Sequence, residues 1–338
     1  MNSRAPLRIG ILGTANIARQ LIDGVRASTK LDIVAVASRN ADKAAAFARE
    51  TGVPQSYPTY EALLADPAID AIYNPLPNNL HAEWSIRAIE SGKHVLCEKP
   101  LATSPDDARA MFAAAKRARV ILVEGYPYRA QPQTIRLRGL LAEGAIGKVR
   151  FVQASIGFPM SDPKNIRLNP ALAGGALMDA GCYPVSLVRM IAGTRPTRVH
   201  AMADFADTGV DRTLVASLEH GNSLLAQIST SFATARHRHA FIAGDAGSIG
   251  TNYFNDTSTA MPAVLELKRG SGWDAKRESI ENATTNGFLA QAESFCDLVT
   301  HGWDRWTGVS EQESIDIAVT LEALAASARH RAPVDVPK

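Results

Sequence analysis

The first 125 residues alternate short apolar segments with longer segments of helical periodicity, and this alternation limits the possible folds more than any other feature. The apolar segments are rich in Val, Ile, Leu and Ala, which is typical of strands covered on both faces in a parallel sheet. Regular alternation with helices predicts a doubly wound, Rossmann-type sheet that binds ligands at the carboxyl ends of its strands. We expect strands at Leu7–Leu12, Leu31–Ala37, Ala71–Asn74, His94–Cys97 and Val120–Glu124.

The second half of the chain has a different pattern, because most of its strand-like segments follow one another without intervening helices. Such a run predicts a C-terminal α+β domain with an open, mainly antiparallel sheet. We therefore expect a first domain at residues 1–125 and a second at residues 126–338. A last helix at about residues 310–329 is expected to pack back on the first domain. The expected strands of the second domain are Val149–Gly157, Arg198–Asp204, Asp211–Leu218, Ser223–Ser231 and Arg238–Ala243.

The formal net charge of the 338-residue chain is only +2, which provides no long-range field for binding nucleic acid or a membrane surface. Its three cysteines are far apart in sequence, so neither a disulfide framework nor a metal site is expected. No segment approaches the ~20 apolar residues that span a bilayer, and the N-terminus lacks the apolar core of a signal peptide. These features predict a cytoplasmic protein whose partner is a small molecule.

A glycine-containing turn follows the first strand and leads into a helix. Gly13 suits a tight turn, and the small side chains of Ala15 and Ala18 allow close approach of a pyrophosphate to the backbone. The pattern differs from Gly-x-Gly-x-x-Gly, and by itself it is equally compatible with a turn that serves only packing. The predicted nucleotide contacts in this segment are Gly10, Gly13, Thr14, Ala15, Asn16 and Ile17.

The end of the second strand distinguishes NADP from NAD. Sheets that bind NAD place an acidic residue there, whereas this chain has Ser38 and Arg39, with Asp32 at the opposite end of the strand. Arg39 offers a fork of donors for a 2′-phosphate, and Ser38 and Lys43 are suited to assist it. A solvated turn residue is the alternative interpretation of Arg39. The pattern favours NADP as the cofactor.

A proline-rich loop follows the strand that ends at Asn74, at the edge where ribose and nicotinamide contacts are expected. Asn79 is suited to cap the next helix, and His81 is as compatible with packing or capping as with cofactor binding. The predicted cofactor contacts of this loop are Asn74, Pro75, Leu76, Asn79 and His81.

Charged residues directly follow another buried strand, in Glu98-Lys99-Pro100. Further along the chain, Asp179 and Tyr183 are four residues apart in a predicted helix and are expected to share one face. Each has an ordinary alternative. Lys99 could form an ion pair with Glu98, Asp179 could lie on a helix surface, and Tyr183 could be a core aromatic residue.

Three motifs together resemble the Gfo/Idh/MocA family of oxidoreductases over nearly the whole chain: Gly10-x-x-Gly13-x-Ala15, Glu98-Lys99-Pro100 and the segment from Gly174 to Tyr183. The resemblance implies that Lys99 lies beside the nicotinamide and that Asp179 and Tyr183 complete the site. Many relatives have His where this chain has Tyr183. The Tyr form resembles the branch of glucose-fructose oxidoreductase, dimeric dihydrodiol dehydrogenase and NADP-dependent aldose dehydrogenases, which typically uses NADP.

The implied chemistry needs a base for a hydroxyl proton while the C–H bond delivers hydride. We expect Tyr183 to be the acid/base, because a nearby ammonium favours ionisation of a phenol whose ordinary pKa is ~10. Lys99 is expected to lower that pKa and to bind the substrate oxygen, with Asp179 orienting Lys99 or a sugar hydroxyl. The alternative allocation makes Lys99 the proton donor. Glu98 is assigned to the cofactor loop, either as a contact or as a structural residue beside a Pro100 peptide bond that is often cis in the family.

Further substrate contacts are expected from residues that lead towards the predicted site. The resemblance suggests Arg129 and Arg167 near the substrate or nicotinamide, although each could equally be a surface ion-pair partner. The basic run Arg236-His237-Arg238-His239 is predicted to be a solvated strand end. The expected substrate contacts are Lys99, Tyr128, Arg129, Arg167, Asp179 and Tyr183, and Arg167 is also expected to contact the cofactor.

The leading hypothesis is an NADP-dependent sugar oxidoreductase, with NADP either exchanged or kept bound and recycled between two sugars. Reduction of dicarbonyl or anhydro sugars and oxidation of dihydrodiols are alternatives that use the same site. A regulatory protein that senses NADP without catalysis is a third hypothesis, which the presence of Lys99, Asp179 and Tyr183 disfavours. An uncovered face of the antiparallel sheet would expose an apolar patch, so we expect a homodimer.

Overall fold

Two separate sheets divide the chain into two structural units in the computed structural model, which describes residues 5–221 and 223–337. The first unit runs to Ala102 and adds Asp106–Ala130 and Asn286–Glu311. The second unit consists of Thr103–Pro105, Gln131–Thr285 and the chain from Gln312 onwards.

The sheet of the first unit contains six parallel strands in the order β3-β2-β1-β4-β5-β6. This order confirms the doubly wound topology, and the order reverses between β1 and β4, where such sheets bind ligands. The strands are β1 (Leu7–Leu12), β2 (Leu31–Ala37), β3 (Gln55–Tyr57), β4 (Ala71–Asn74), β5 (His94–Glu98) and β6 (Leu122–Gly125).

Five helices connect these strands, and their apolar faces pack on the sheet. In α1, for example, Ala18, Leu21, Ile22 and Val25 are buried at helical spacing, so one face of the helix joins the core around Ile9 and Ile11. The helices are α1 (Asn16–Val25), α2 (Ala41–Thr51), α3 (Tyr60–Leu64), α4 (His81–Glu90) and α5 (Pro105–Ala118).

The second sheet has nine strands in the order β14-β13-β12-β11-β7-β10-β9-β8-β15. Only β7 and β10 pair in parallel, so the expectation of a mainly antiparallel sheet is confirmed. The strands are β7 (Val149–Gly157), β8 (Arg198–Phe205), β9 (Asp211–His220), β10 (Leu224–Ser231), β11 (His237–Gly244), β12 (Gly247–Thr251), β13 (Val264–Arg269), β14 (Lys276–Glu281) and β15 (Val334–Asp335).

The helices of the second unit are α6 (Pro132–Ala142) and α7 (Cys182–Ala192), with most of α9 (Glu311–His330) further along the chain. The stretch Pro170–Ala192, which ends with α7, has the length and hydropathy of a membrane span, contrary to our expectation that no segment approaches one. Its most apolar window is 67% buried inside the protein, and α7 packs on β7 and β10. We therefore interpret it as a core helix.

Helix α8 (Gly287–His301) belongs to the first unit, although most of the second unit precedes it in the sequence. That the last helix packs back on the first domain stays a prediction. Phe288, Ala292 and Phe295 recur at helical spacing and are buried in the core of the first unit. By contrast, α9 (Glu311–His330) belongs to the second unit from Gln312 onwards, where Ser327 Oγ accepts a 2.9 Å hydrogen bond from the backbone of Ala201.

Candidate active site

Gly13 forms the turn between β1 and α1 with a φ angle of +84°, which favours glycine. A Cβ at this position would lie 2.9 Å from Leu76 Cδ2, so a side chain would also disturb the loop after β4. Helix α1 then begins without a side-chain cap on its N-terminal N–H groups. These N–H groups and the helix dipole suit a pyrophosphate, in agreement with the contacts predicted from Thr14 to Ile17.

Gly10 lies in β1 where the strand packs closely against other parts of the first unit. A Cβ on Gly10 would lie 2.9 Å from Leu63 Cδ2 and 3.2 Å from Ile69 Cδ1. The glycine therefore permits close packing of β1 against the segment that includes α3. Its contact with the nucleotide stays a prediction.

The end of β2 presents Arg39 as an exposed side chain and Ser38 as a buried one. Asn40 accepts a 2.9 Å hydrogen bond from Lys43 N and so caps α2, which fixes the backbone beside Arg39. Ser38 Oγ accepts a 3.3 Å bond from Asn40 N. This arrangement fits the 2′-phosphate of NADP, because two cationic side chains flank a capped helix start with no carboxylate on β2 at this end.

Tyr60 is a residue of this region that the sequence analysis missed. Its phenol lies near the charge of Arg39, and its oxygen would lie 3.7 Å from a Cβ on Gly13. Burial raises the pKa of Tyr60, whereas the nearby charge of Arg39 opposes that rise. The ring packs edge-on against Trp84 at a centroid distance of 4.7 Å. Tyr60 thus links the predicted phosphate-binding arginine to the glycine turn.

The side chains of Asn74 and His81 are occupied by contacts within the first unit. Asn74 Nδ2 donates to His81 O at 3.2 Å and to Ser85 Oγ at 3.0 Å, and its Oδ1 accepts from Leu76 N at 3.3 Å. Both residues are buried, so the prediction that these two polar side chains bind the cofactor is not supported. They shape the loop instead.

The buried ring of His81 joins the loop after β4 to the residue that follows Lys99. Nδ1 lies 2.8 Å from Pro100 O and Nε2 lies 2.7 Å from Leu76 O. Burial lowers the pKa of His81 to about 4, although the two carbonyl groups favour its charged form. The ring therefore lies between carbonyl groups of two loops at the edge of the sheet.

Asn79 does not cap the next helix as predicted. It lies inside a short 3₁₀ turn, Asn78–Leu80, and α4 starts after Leu80 without a side-chain cap. Pro75 and Leu76 are buried, and Leu76 lies beneath Gly13. The loop thus contributes the apolar support of the glycine turn.

Within the motif after β5, the buried carboxylate of Glu98 accepts a 2.7 Å hydrogen bond from the phenol of Tyr73. This contact supports the structural interpretation of Glu98. Lys99 is half-buried, and the Lys99–Pro100 peptide bond is cis. Leu101 N donates to the buried Glu124 at 2.9 Å, so the turn around Lys99 is fixed from both neighbouring strands.

Tyr128 and Arg129 are nearly inaccessible, with 0% and 2% of their surface exposed. They lie in a 3₁₀ turn after β6, where Tyr126 and Tyr128 pack edge-on at 6.1 Å. Burial of this extent favours a structural role, and we leave both residues out of the substrate site proposed below.

The segment that carries Asp179 begins with Gly175, whose φ angle is +118°. A Cβ there would collide with the carboxylate of Asp211, which accepts a 2.6 Å hydrogen bond from Leu177 N. Burial raises the pKa of Asp211 to about 6, although backbone N–H donors oppose the shift. Asp211 was not predicted from the sequence. The sequence signal was the helix start near Leu177, which has no capping side chain of its own and therefore needs an acceptor from elsewhere in the chain.

Leu177–Gly181 forms a π-helical turn that continues into α7. Asp179 lies in this turn, and Tyr183 lies in the first turn of α7, four residues further along the chain. Asp179 forms an ion pair with Arg167, with 2.6 Å between Oδ2 and Nε. The structure thus brings together two predicted residues, Arg167 and Asp179.

Tyr183 is 93% buried, with 7% of its surface exposed, and its phenol oxygen accepts a 2.8 Å hydrogen bond from Asn255 Nδ2. The guanidinium carbon of Arg238 lies 4.3 Å from the centre of its ring. The expectation that Arg238 belongs to a solvated strand end is wrong. The alternation of side chains along β11 indicates that Arg238 faces inwards, because it shares a face with the buried Ala240 and Ile242.

Two family models match the chain. Residues 7–126 match the oxidoreductase family with an NAD-binding Rossmann fold, and residues 134–250 match the GFO/IDH/MocA C-terminal domain. Together the two matches cover more than half of the chain and include the β1 turn, Lys99, Asp179 and Tyr183.

Relatives in several organisms are similar over most of their length. The chain is 37% identical to D-xylose 1-dehydrogenase (NADP(+)) 2 of Haloferax volcanii, over 98% of this chain and 100% of that protein. It is 36% identical to trans-1,2-dihydrobenzene-1,2-diol dehydrogenase of Xenopus laevis, over 75% and 77%. A 3-ketoreductase from Actinomadura kijaniata, solved with NADP and TDP-benzene, matches with a TM-score of 0.86 at 29% identity, over 95% and 98%.

Proposed function

Because the chain belongs to the Gfo/Idh/MocA family of oxidoreductases, we propose that it transfers hydride between NADP and a carbon atom of a sugar. The observation that carries this proposal is the end of β2, where the exposed Arg39 lies near Tyr60 and the last residues of the strand carry no carboxylate. The NADP-dependent xylose dehydrogenase and the ketoreductase with bound NADP support the same cofactor.

The residues suited to hold NADP come from the first unit. The turn at Gly13 and the uncapped start of α1, from Thr14 to Ile17, suit the pyrophosphate. Ser38, Arg39 and Lys43 suit the 2′-phosphate. When bound, NADP supplies the carbon that accepts or donates hydride.

In the oxidation, the substrate C–H bond breaks with loss of hydride, the hydroxyl proton passes to the phenolate oxygen of Tyr183, and a carbonyl group remains. Reduction follows the reverse path, with the phenol of Tyr183 as the acid. We assign to the Lys99 ammonium the binding of the substrate oxygen. Asp179, held by Arg167, is assigned to a neighbouring sugar hydroxyl.

We propose an aldose oxidised at C1 as the substrate, because the matched xylose dehydrogenase aligns over its full length. Oxidation of a trans-dihydrodiol is the second candidate, which the similarity to the dihydrobenzenediol dehydrogenase favours over three quarters of the chain. Both reactions remove hydride from a carbon that bears a hydroxyl group. They differ in the shape and polarity of the rest of the substrate.

Initial rates of NADPH formation with aldopentoses, aldohexoses and a trans-dihydrodiol, compared with NAD⁺ as the alternative cofactor, test this proposal. We expect turnover with an aldose and a kcat/KM for NADP at least about tenfold above that for NAD, as loss of one charged contact predicts. Binding of NADP without turnover of any substrate would favour the NADP-sensing alternative. Native and denaturing mass spectrometry of the purified protein would show whether NADP copurifies and is recycled.

A further inference from the structure

Arg238 occupies an unusual place for a charged residue, because it projects from the buried face of β11. Its guanidinium lies between two aromatic rings, 4.3 Å from the centre of Tyr183 and 4.5 Å from that of Tyr253. Its Nη1 donates a hydrogen bond to Asn255 Oδ1 at 3.2 Å. A cation on this face requires such compensation for the loss of water.

The contact with Arg238 determines which way the Asn255 amide points. A guanidinium has donors only, so the Asn255 atom that faces it must be the oxygen. The amide nitrogen is consequently the atom that lies 2.8 Å from the phenol oxygen of Tyr183. The orientation of this amide thus follows from chemistry and not from a choice between two similar atoms.

An N–H donor aimed at a phenol oxygen favours the ionised phenol, because the hydrogen bond becomes charge-assisted when the proton leaves. The positive charge above the ring acts in the same direction. A carbonyl oxygen in place of the N–H group would instead require the phenol to keep its proton. Asn255 and Arg238, the neighbours of Tyr183 in the second unit, therefore favour the ionised form of Tyr183, which accepts a proton.

The backbone around Asn255 is also fixed. Gln131, which is fully buried, donates from Nε2 to Asn255 O at 2.8 Å and to Thr285 O at 3.0 Å. Tyr253, on the other side of Arg238, donates its hydroxyl to Ser155 O at 3.1 Å. Asn255 is thus anchored independently of its contact with Tyr183.

We propose that Arg238 and Asn255 are positioning residues that prepare Tyr183 to accept the substrate proton. Arg238 fixes the Asn255 amide with its N–H towards the phenol oxygen and adds a positive charge above the ring. The inference rests on the assignment of Tyr183 as acid/base in the proposed function. It attributes part of the activation of Tyr183 to its own unit, whereas the sequence analysis attributed it to Lys99.

Other charged groups on the elements packed against α7 are accounted for by separate contacts. Asp179 in the preceding turn pairs with Arg167, and Asp211 accepts the backbone N–H of Leu177. On β7, Arg150 pairs with the exposed Asp245. Strand β10 has no titratable side chain.

The test is a pH titration of tyrosinate absorbance in the full-length protein without substrate. The difference between each protein and the same protein with Tyr183→Phe isolates the signal of Tyr183. We expect Arg238→Gln and Asn255→Asp each to raise the pH at which Tyr183 ionises by about one unit or more, a tenfold change. Asn255→Asp retains a partner for Arg238 but places an acceptor against the phenol. Arg236→Gln, which changes an exposed arginine two residues away, is the matched control and should leave the titration unchanged.

Turnover provides a second readout. In Arg238→Gln, kcat at neutral pH should fall about tenfold and recover at higher pH, with little change in the KM for NADP. Arg238→Lys should restore part of the loss. An unchanged Tyr183 titration in both Arg238→Gln and Asn255→Asp would overturn the inference, even in a fully active enzyme. Conversely, shifted titrations in a protein without turnover would preserve the inference about ionisation and refute the proposed function.

Discussion

At the scale of single residues, we attribute the choice of cofactor to Arg39, which lies near Tyr60. Arg39 is exposed at the end of β2, so its charge is available to a ligand, while the buried Tyr60 limits where the guanidinium can lie. A contact of this kind contributes through position as well as charge. Removing the charge of Arg39 should therefore lower kcat/KM for NADP more than removing only the phenol hydroxyl of Tyr60.

We expect Arg39→Ala to lower kcat/KM for NADP roughly 10- to 100-fold, because a hydrogen bond to a charged group contributes about 1.5–3 kcal/mol. Tyr60→Phe should lower kcat/KM for NADP by roughly 2- to 10-fold, since Arg39 keeps its charge but loses a nearby phenol hydroxyl. The kcat/KM for NAD should change little in either variant. Steady-state kinetics with both cofactors measures these effects. The control is Arg49→Ala, which removes an exposed arginine on α2. Equal losses for NADP and NAD would contradict the assignment.

Residue identity in the sequence was sufficient to predict Ser38, Arg39, Lys99, Asp179 and Tyr183 as site candidates, because their positions follow predicted strand ends or a helix start. Their partners were not predictable. Tyr60, Asp211, Arg238 and Asn255 act through contacts with residues distant in sequence, such as the 72 positions between Tyr183 and Asn255. No local periodicity reports such a contact.

At the scale of elements, the start of the helical segment before α7 depends on a carboxylate from β9. Asp211 has a folded-state pKa of about 6, above the ordinary value of ~3.9, because it is largely buried. The folded protein therefore holds this proton more tightly than the unfolded chain. The contribution of Asp211 to stability must decrease as the pH rises from about 4 to above 6.

Asp211→Asn keeps an oxygen acceptor for Leu177 N but does not titrate. We expect its free energy of unfolding, relative to that of the wild type, to increase by up to about 3 kcal/mol between pH 4 and pH 7. Denaturant unfolding at several pH values measures this difference. Asp204→Asn, which alters an exposed aspartate on the neighbouring strand β8, should show no such trend. A pH-independent difference for Asp211→Asn would refute the account.

Elements with strong periodicity were predicted from the sequence, and those with weak patterns were not. The five principal strands of the first unit and the strands β7 to β11 lie near their expected positions. Strand β12 contains two glycines, β14 is almost entirely exposed, and β15 has two residues, so none has an apolar alternation to detect. The destination of α8 depended on tertiary packing, which the sequence pattern does not encode.

At the scale of the whole molecule, one face of the nine-stranded sheet has exposed apolar residues on β8, β9, β10 and β11. They are Met202, Val215, Leu225 and Phe241, with 41–65% of their surface accessible. Their chain neighbours on each strand point inwards and are mostly buried. Exposed apolar residues on one face of a sheet favour an interface between two copies of the chain.

We propose a homodimer formed through this face of the sheet, as the sequence also led us to expect. Leu225→Glu should produce monomers at micromolar protein concentration, because a carboxylate would lose its hydration in the interface. Light scattering with size-exclusion chromatography measures the mass. Ile135→Glu, on the exposed side of α6, is the control and should leave the mass unchanged. A wild-type protein that is monomeric under these conditions would contradict the proposal.

The central claim is that this NADP-dependent sugar oxidoreductase uses Tyr183 to move the substrate proton. Comparison of Tyr183→Phe with the wild type, by kcat for an aldose and by NADP affinity, tests it most directly. We predict a loss of at least about 100-fold in kcat with unchanged NADP affinity, the range expected when a general base is removed. Near-normal turnover of Tyr183→Phe with NADP still bound would contradict the claim and transfer the proton step to Lys99.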